Sequence, residues 1–361
     1  MFTKCVFCVL LTAPLAAAVL LVARVPLASG QGESNITINL TPHKGNPILG
    51  KGPAGSWDDT TVWAPAVVFQ DGLYHMFYSG ARGGWAGENG QTFSIGYATS
   101  TDGLVWEKYS GNPVFKANGT GFDAAAVGWS AVLVEGDTWV LYYFAEKTFG
   151  YDGVIGRATA PGPTGPWTRS EDPVLMDGSP TEWDALGIIP LSVIATDQGY
   201  VMYYVGGRII SETGGMIGLA TSPDGITWTK YDDPTTTEPP YAESDPVLPL
   251  GLEGWTMVTL NESCVRKTAA GWEMFYSERG SSKSERIPAY RIGYATSDDG
   301  IHWTKYSGFP ILTYKDDPAA STSLQLLPYS VVVNDSTYLL YYDYRWSTGS
   351  IGVAMGTVTR E

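Results

Sequence analysis

The chain has 361 residues, 44% of them apolar and only 16% charged, with 43 Gly, 22 Tyr and 13 Trp. That balance excludes intrinsic disorder and a coiled coil, and so many aromatics and glycines lean toward an all-β chain with numerous turns. A formal charge of −15 argues against a nucleic acid or an anionic membrane surface as partner, because that affinity comes largely from Lys and Arg neutralising phosphates.

Residues 1–30 carry Lys4, an apolar run from Cys5 to Ala23 and the small residues Ala28, Ser29 and Gly30. They read as a signal peptide cut near Gly30, giving a secreted or periplasmic chain of residues 31–361. The alternative is an uncleaved anchor, since such a run is long enough to span a bilayer. Cys5 and Cys8 leave with the leader, so Cys264 is the one thiol of the mature chain and stability must come from a core. Asn35, Asn118, Asn261 and Asn334 stand in Asn-x-Ser/Thr sequons, as expected of an exported glycoprotein.

From residue 60 onward one pattern recurs five times. A strand of the form Tyr-x-Met-x-Tyr spans 74–78, 139–143, 200–204, 272–276 and 338–342. An Ile-Gly-x-Ala strand follows, its isoleucines at 95, 155, 217, 292 and 351. Ser-x-Asp-Gly-x-x-Trp comes next at 100–106, 222–228 and 297–303, with a degenerate copy ending at Trp167. The unit closes on a Pro-plus-aliphatic strand at 112–115, 172–175, 245–248 and 309–312. Four short strands joined by turns make a β-propeller blade, so five units predict a five-bladed β-propeller as a single domain. The fifth unit lacks its closing strand, while Asn46-Pro47-Ile48-Leu49 supplies that motif early in the chain. Residues 36–49 are therefore expected to complete the last blade and remove its open edge. The Asp-Gly pair reads as a tight turn with a packed Trp.

Aligning the units on the aromatic strand brings out two further recurrences. Just ahead of each inner strand stand Trp57-Asp58, Phe122-Asp123 and Trp183-Asp184, then Trp255-Thr256 and Ser321-Thr322. Just after each second strand stands one cation: Arg82, Lys147, Arg208, Arg279 and Arg345. Both places face one funnel around the propeller axis. In the functional reading, Trp57, Phe122, Trp183 and Trp255 stack on sugar faces while the carboxylates and cations bind hydroxyls or an anion. In the structural reading, each Asp caps a turn and pairs with its Arg. If Asp58, Asp123, Asp184 and Glu262 offset the five cations, the ring is near neutral and favours a neutral oligosaccharide.

The five-fold unit, the Ala-Thr-Ser-x-Asp-Gly-x-x-Trp phrase and Trp63-Ala64-Pro65 together resemble the five-bladed glycoside hydrolases and phosphorylases of families 43, 32, 68 and 130. The resemblance implies a carbohydrate-active enzyme. In family 43 the general acid is a Glu about nine residues before the Gly preceding the aromatic strand, which falls here on Glu262 ahead of Gly271. The corresponding base and pKa-tuning positions carry Ala64 and Ala66, so Asp58, Asp123 and Asp184 are the remaining candidates for catalytic carboxylates, provided their loops fold inward. A phosphorylase, whose cations hold phosphate, and a non-catalytic glycan-binding propeller are the alternatives. His43, His75 and His302 are scattered, which argues against a His-based zinc site or a Ser-His-Asp triad. Cys264 reads as a buried apolar residue. No cofactor is expected; a structural divalent cation on the axis is the one open possibility.

Overall fold

The structure is a computed structural model that describes residues 36–83, 93–150, 153–207, 215–248, 256–281, 289–320, 325–344 and 349–360, with 256–259, 261 and 281 as backbone only. The leader, the Asn35 sequon, Trp255, Arg208, Arg345, Ser321 and Thr322 lie outside the described residues.

The described chain forms five antiparallel sheets. Blade 1 comprises Thr61–Gln70, Leu73–Ala81, Ser94–Ser100 and Glu107–Lys108, from inner to outer strand. Blade 2 comprises Ala126–Glu135, Thr138–Glu146, Val154–Ala160 and Thr168–Arg169; blade 3, Ile188–Thr196, Gly199–Gly207, Gly215–Ser222 and Thr229–Lys230. Blade 4 comprises Thr256–Thr268, Gly271–Ser281, Ala289–Ser297 and Thr304–Lys305. Blade 5 uses Leu327–Asn334, Thr337–Asp343 and Ile351–Arg360, and its outer strand is Ile36–Pro42. The inner strands touch in cyclic order, blade 5 against blade 1 closing the ring. Five blades are thus formed, as the repeat predicts.

Closure joins the two ends of the described chain. Ile36 to Pro42 pair with Arg360 to Ala354 in one unbroken register, and Leu49 bridges Ile351. Asn46 donates from Nδ2 to Val353 O and accepts from Val353 N, each at 3.0 Å. Asn112 makes the same pair of bonds to Tyr97, each at 2.8 Å. The displaced motif therefore pins a third strand just as its counterpart in blade 1 does.

The Ser-x-Asp-Gly turn is a self-capping device. In blade 1, Gly103 N donates to Ser100 Oγ at 2.9 Å and the amides of Leu104 and Val105 donate to Asp102 Oδ1. Trp106 Nε1 then closes the turn onto Gly103 O. A tyrosine of the preceding blade reaches each intact copy. Tyr341 OH donates to Gly103 O, Tyr142 OH to Gly225 O and Tyr203 OH to Gly300 O, at 3.1, 2.7 and 2.7 Å. The same tyrosines meet Trp106, Trp228 and Trp303 edge-on. Blade 1 faces the degenerate turn and carries Phe77, which meets Trp167 edge-on at 6.0 Å. Blade 4 faces blade 5, whose outer strand is not reached through such a turn, and carries Phe275. The hydroxyl is thus present in the three blades that face an intact turn and absent in the two that do not, as expected where a buried hydroxyl needs a partner.

Candidate functional site at the mouth of the central channel

Every inner strand breaks register near its start. The breaks fall between Trp63 and Ala66, Gly128 and Ser130, Pro190 and Ser192, Leu260 and Ser263, and Pro328 and Ser330. Bulges re-aim side chains at sheet ends, and two of these hold non-glycine residues at positive φ: Ala64 at +52° and Trp129 at +33°. Both are tied to the neighbouring blade. Trp129 N donates to Ser79 Oγ at 2.8 Å, and Ala64 N donates to Asp343 Oδ2 at 3.1 Å. Glu262 occupies the bulge of blade 4, 2% exposed, with its N–H on Ser277 Oγ at 3.0 Å and its carbonyl accepting that hydroxyl at 3.2 Å. The bulges set a collar at the end of the channel where the inner strands begin.

In blades 1 and 2 the collar is backed by interlocked rings. Trp63, Phe93, Trp129, Phe144 and Phe149 meet edge-to-face with centroids between 5.1 and 5.8 Å apart. Beside them the second strand of blade 2 ends on Glu146, a buried carboxyl that accepts Gly150 N at 3.3 Å. Burial raises its pKa to about 7. Below the collar lies a cavity of about 120 Å³ lined by small and aliphatic side chains, Ser192, Ser330 and Cys264 among them. Burial pushes the Cys264 thiol far up, which suits a packing residue.

The three aromatic-Asp pairs are not folded toward the axis, a correction to the expected funnel. Asp58 accepts Lys108 Nζ at 2.6 Å and Tyr78 OH at 3.2 Å. Asp123 accepts Arg169 and, at 3.0 Å, Tyr143 OH. Asp184 accepts Lys230 Nζ at 2.6 Å and Tyr204 OH at 3.2 Å. Each acid is at most 2% exposed, and each cation lies on the outer strand of the same blade, farthest from the axis. Trp57, Phe122 and Trp183 cover this arrangement, with Phe122 and Trp183 stacked on Tyr143 and Tyr204. The reason lies in the second strand: a Cβ at Gly80 would stand 2.5 Å from the Trp57 ring, and one at Gly206 2.5 Å from Asp184 Cβ. The glycines open a slot that the loop residues fill.

Blade 4 has Thr256 in place of the Asp, and the acid moves to Glu278 on the second strand, 2.9 Å from Lys305 Nζ. In blade 5, Asp317 accepts Tyr342 OH, Tyr344 OH and Asn46 Nδ2 between 2.5 and 2.8 Å. The anchor is thus five-fold even though its acid comes from three places. Sequence reading missed its cations, although Lys108, Arg169, Lys230 and Lys305 all stand two residues after the Trp of the turn motif.

The described members of the cation series have other neighbours. Arg82 is 3.9 Å from Asp59, not Asp58; Lys147 is exposed; Arg279 lies over Tyr290, 5.8 Å from its centroid. The acids expected to offset this series are bound to outer-strand cations, so the charge count that favoured a neutral ligand loses three of its four carboxylates. Among the described residues, no group of three or more His, Cys, Asp and Glu is placed to hold a metal ion.

Neither a protein-family model nor a curated protein matches the chain. Solved structures do. A glycosyl hydrolase from Bacteroides ovatus superposes with a TM-score of 0.65 at 17% identity, covering 88% of this chain and 93% of that one. A member of the GH130 family of mannoside phosphorylases, which contains glycoside hydrolases targeting β-1,2-mannosidic linkages in Candida mannan, gives 0.62 at 16%, over 88% and 94%. The β-1,2-mannobiose phosphorylase of Listeria innocua, solved with β-1,2-mannobiose, gives 0.58 at 13%, over 89% and 97%. The chain shares the fold of these carbohydrate-active propellers. What it shares at such identity is the fold.

Proposed function

We propose that this protein is a secreted glycoside hydrolase acting on an oligo- or polysaccharide at the mouth of the channel, with Glu262 as the general acid. The observation that carries the reading is the position of Glu262: a carboxyl at most 2% exposed, on the inner-strand bulge of a propeller whose structural neighbours are glycoside hydrolases and phosphorylases. Cleavage needs a proton donor to the leaving oxygen, and Glu262 is the carboxyl that the inner-strand bulge of blade 4 carries. Asp58, Asp123 and Asp184 lose support as catalytic groups, since each is committed to its blade.

Purified protein is assayed against aryl glycosides and polysaccharides, β-mannosides first, with and without phosphate. Hydrolysis independent of phosphate that falls at least a hundredfold in Glu262→Gln, with sugar affinity retained, supports the reading. Turnover that requires phosphate identifies a phosphorylase. Affinity for sugars without turnover in the unaltered protein identifies a binding propeller.

A further inference from the structure

In blade 4, Leu260 pairs with Glu278 and Ser263 with Tyr276, so Asn261 and Glu262 stand opposite Ser277 and drop out of the strand ladder. Main-chain groups that leave a ladder inside a protein need other partners. For Glu262 one hydroxyl serves both: Ser277 Oγ accepts its N–H at 3.0 Å and donates to its carbonyl at 3.2 Å. Ser277 is fully buried. The same place in the second strand, directly after the last aromatic of the repeat, holds Ser79, Phe144, Val205 and Asp343 in the other blades. Phe144 and Val205 carry no side-chain acceptor, while Ser79 and Asp343 accept a bulge amide of the next blade, from Trp129 and Ala64. Ser277 instead clasps the bulge of its own blade. Of the residues skipped at the five register breaks, Glu262 alone is an acid.

We propose that Ser277 is the positioning residue of the general acid: by holding the peptide groups on both sides of the Glu262 Cα, its hydroxyl sets the direction in which the carboxyl leaves the bulge. This rests on the reading of Glu262 as proton donor. As the glycosidic C–O bond breaks, its electron pair stays on the leaving oxygen, which takes the Glu262 proton. Water supplies a hydroxyl to the anomeric carbon, and its remaining proton restores Glu262 through solvent. Such a transfer needs the donor within hydrogen-bond reach of that oxygen, and a misplacement of about 1 Å can cost about a hundredfold. Ser277→Ala removes one oxygen and no carbon of the core, so its effect falls on the aim of Glu262. A misplaced acid is felt most where the leaving oxygen is strongly basic and least where it departs readily without a proton. A general loosening of the blade would lower both reactions alike.

The test measures kcat/KM on two glycosides of the sugar that the unaltered protein cleaves fastest, one releasing 4-methoxyphenol and one releasing 2,4-dinitrophenol. Ser277→Ala is expected to lose at least about tenfold on the first and to stay within about threefold on the second. Glu262→Gln is expected to show the same bias more strongly. Ser277→Cys keeps the size of the side chain but bonds weakly; it should share the bias, and it carries the test where Ser277→Ala does not fold. A folded Ser277 variant that loses equally on both glycosides, or on neither, overturns the inference, while a biased loss in Glu262→Gln leaves the hydrolase reading standing. Glu262→Gln without that bias, or no glycoside turnover by the unaltered protein, overturns that reading and this inference with it.

Discussion

Asp184 and Glu146 are both buried acids, and their surroundings give them opposite effects on stability. Asp184 has Lys230 Nζ at 2.6 Å and Tyr204 OH at 3.2 Å. Removing it leaves a mostly buried lysine without its counter-charge, so Asp184→Ala should lose about 3 kcal/mol of stability, read by urea unfolding; a loss under 1 kcal/mol would contradict the anchor. Glu146 should work against stability near neutrality. Its folded pKa of about 7 lies above the ordinary 4.5, so the folded state binds more protons between those values and its contribution is lost as pH rises from about 4.5 through 7. Glu146→Gln should therefore flatten the melting temperature over that window and raise it at pH 8. An unchanged slope would show that Glu146 titrates at its ordinary pKa.

At the scale of the element, the second strand couples one blade to the next. Tyr203→Phe removes the bond to Gly300 O and is expected to cost about 1 kcal/mol, more if the orphaned carbonyl stays dry. The reverse change, Phe275→Tyr, should also destabilise, because blade 4 faces no Asp-Gly turn that could accept the new hydroxyl. Thermal melts of both variants check this; two neutral results would remove the hydroxyl rule. The elements themselves were legible in the sequence because aromatic strand, Ile-Gly strand and Asp-Gly turn recur at blade length, and even the displaced Asn46-Pro47 motif was readable. The direction of the loop residues was not. Whether Trp57-Asp58 turns to the axis or onto the blade depends on Gly80 and on Lys108, 50 positions away in the chain, a contact that no local pattern carries. Glu262 stood out only through family resemblance, and Glu146 not at all, since burial of a single Glu has no sequence period.

At the scale of the whole molecule, the ring closes where the first and last described strands pair. Besides the paired strands, Arg360 crosses from blade 5 to blade 4, where it meets Glu273 Oε1 at 3.1 Å and Tyr294 OH at 2.9 Å. Glu273 also takes Tyr338 OH at 3.1 Å and Arg266 at 3.3 Å, so the last strand is fastened to the blade before it. Arg360→Ala should cost on the order of 1–2 kcal/mol, and deleting residues 36–42 should cost far more by exposing a strand edge; hydrogen exchange in Ile351–Arg360 reads both. With the ring closed, Asp58, Asp123 and Asp184 are each held within a blade, and Glu262 is the candidate carboxyl that stands on an inner-strand bulge. The decisive measurement is the rate of hydrolysis of an aryl glycoside panel by the unaltered protein and by Glu262→Gln, without phosphate. The account predicts turnover in the former and a loss of at least a hundredfold in the latter with sugar affinity retained; equal rates in both, or no turnover in either, would contradict it.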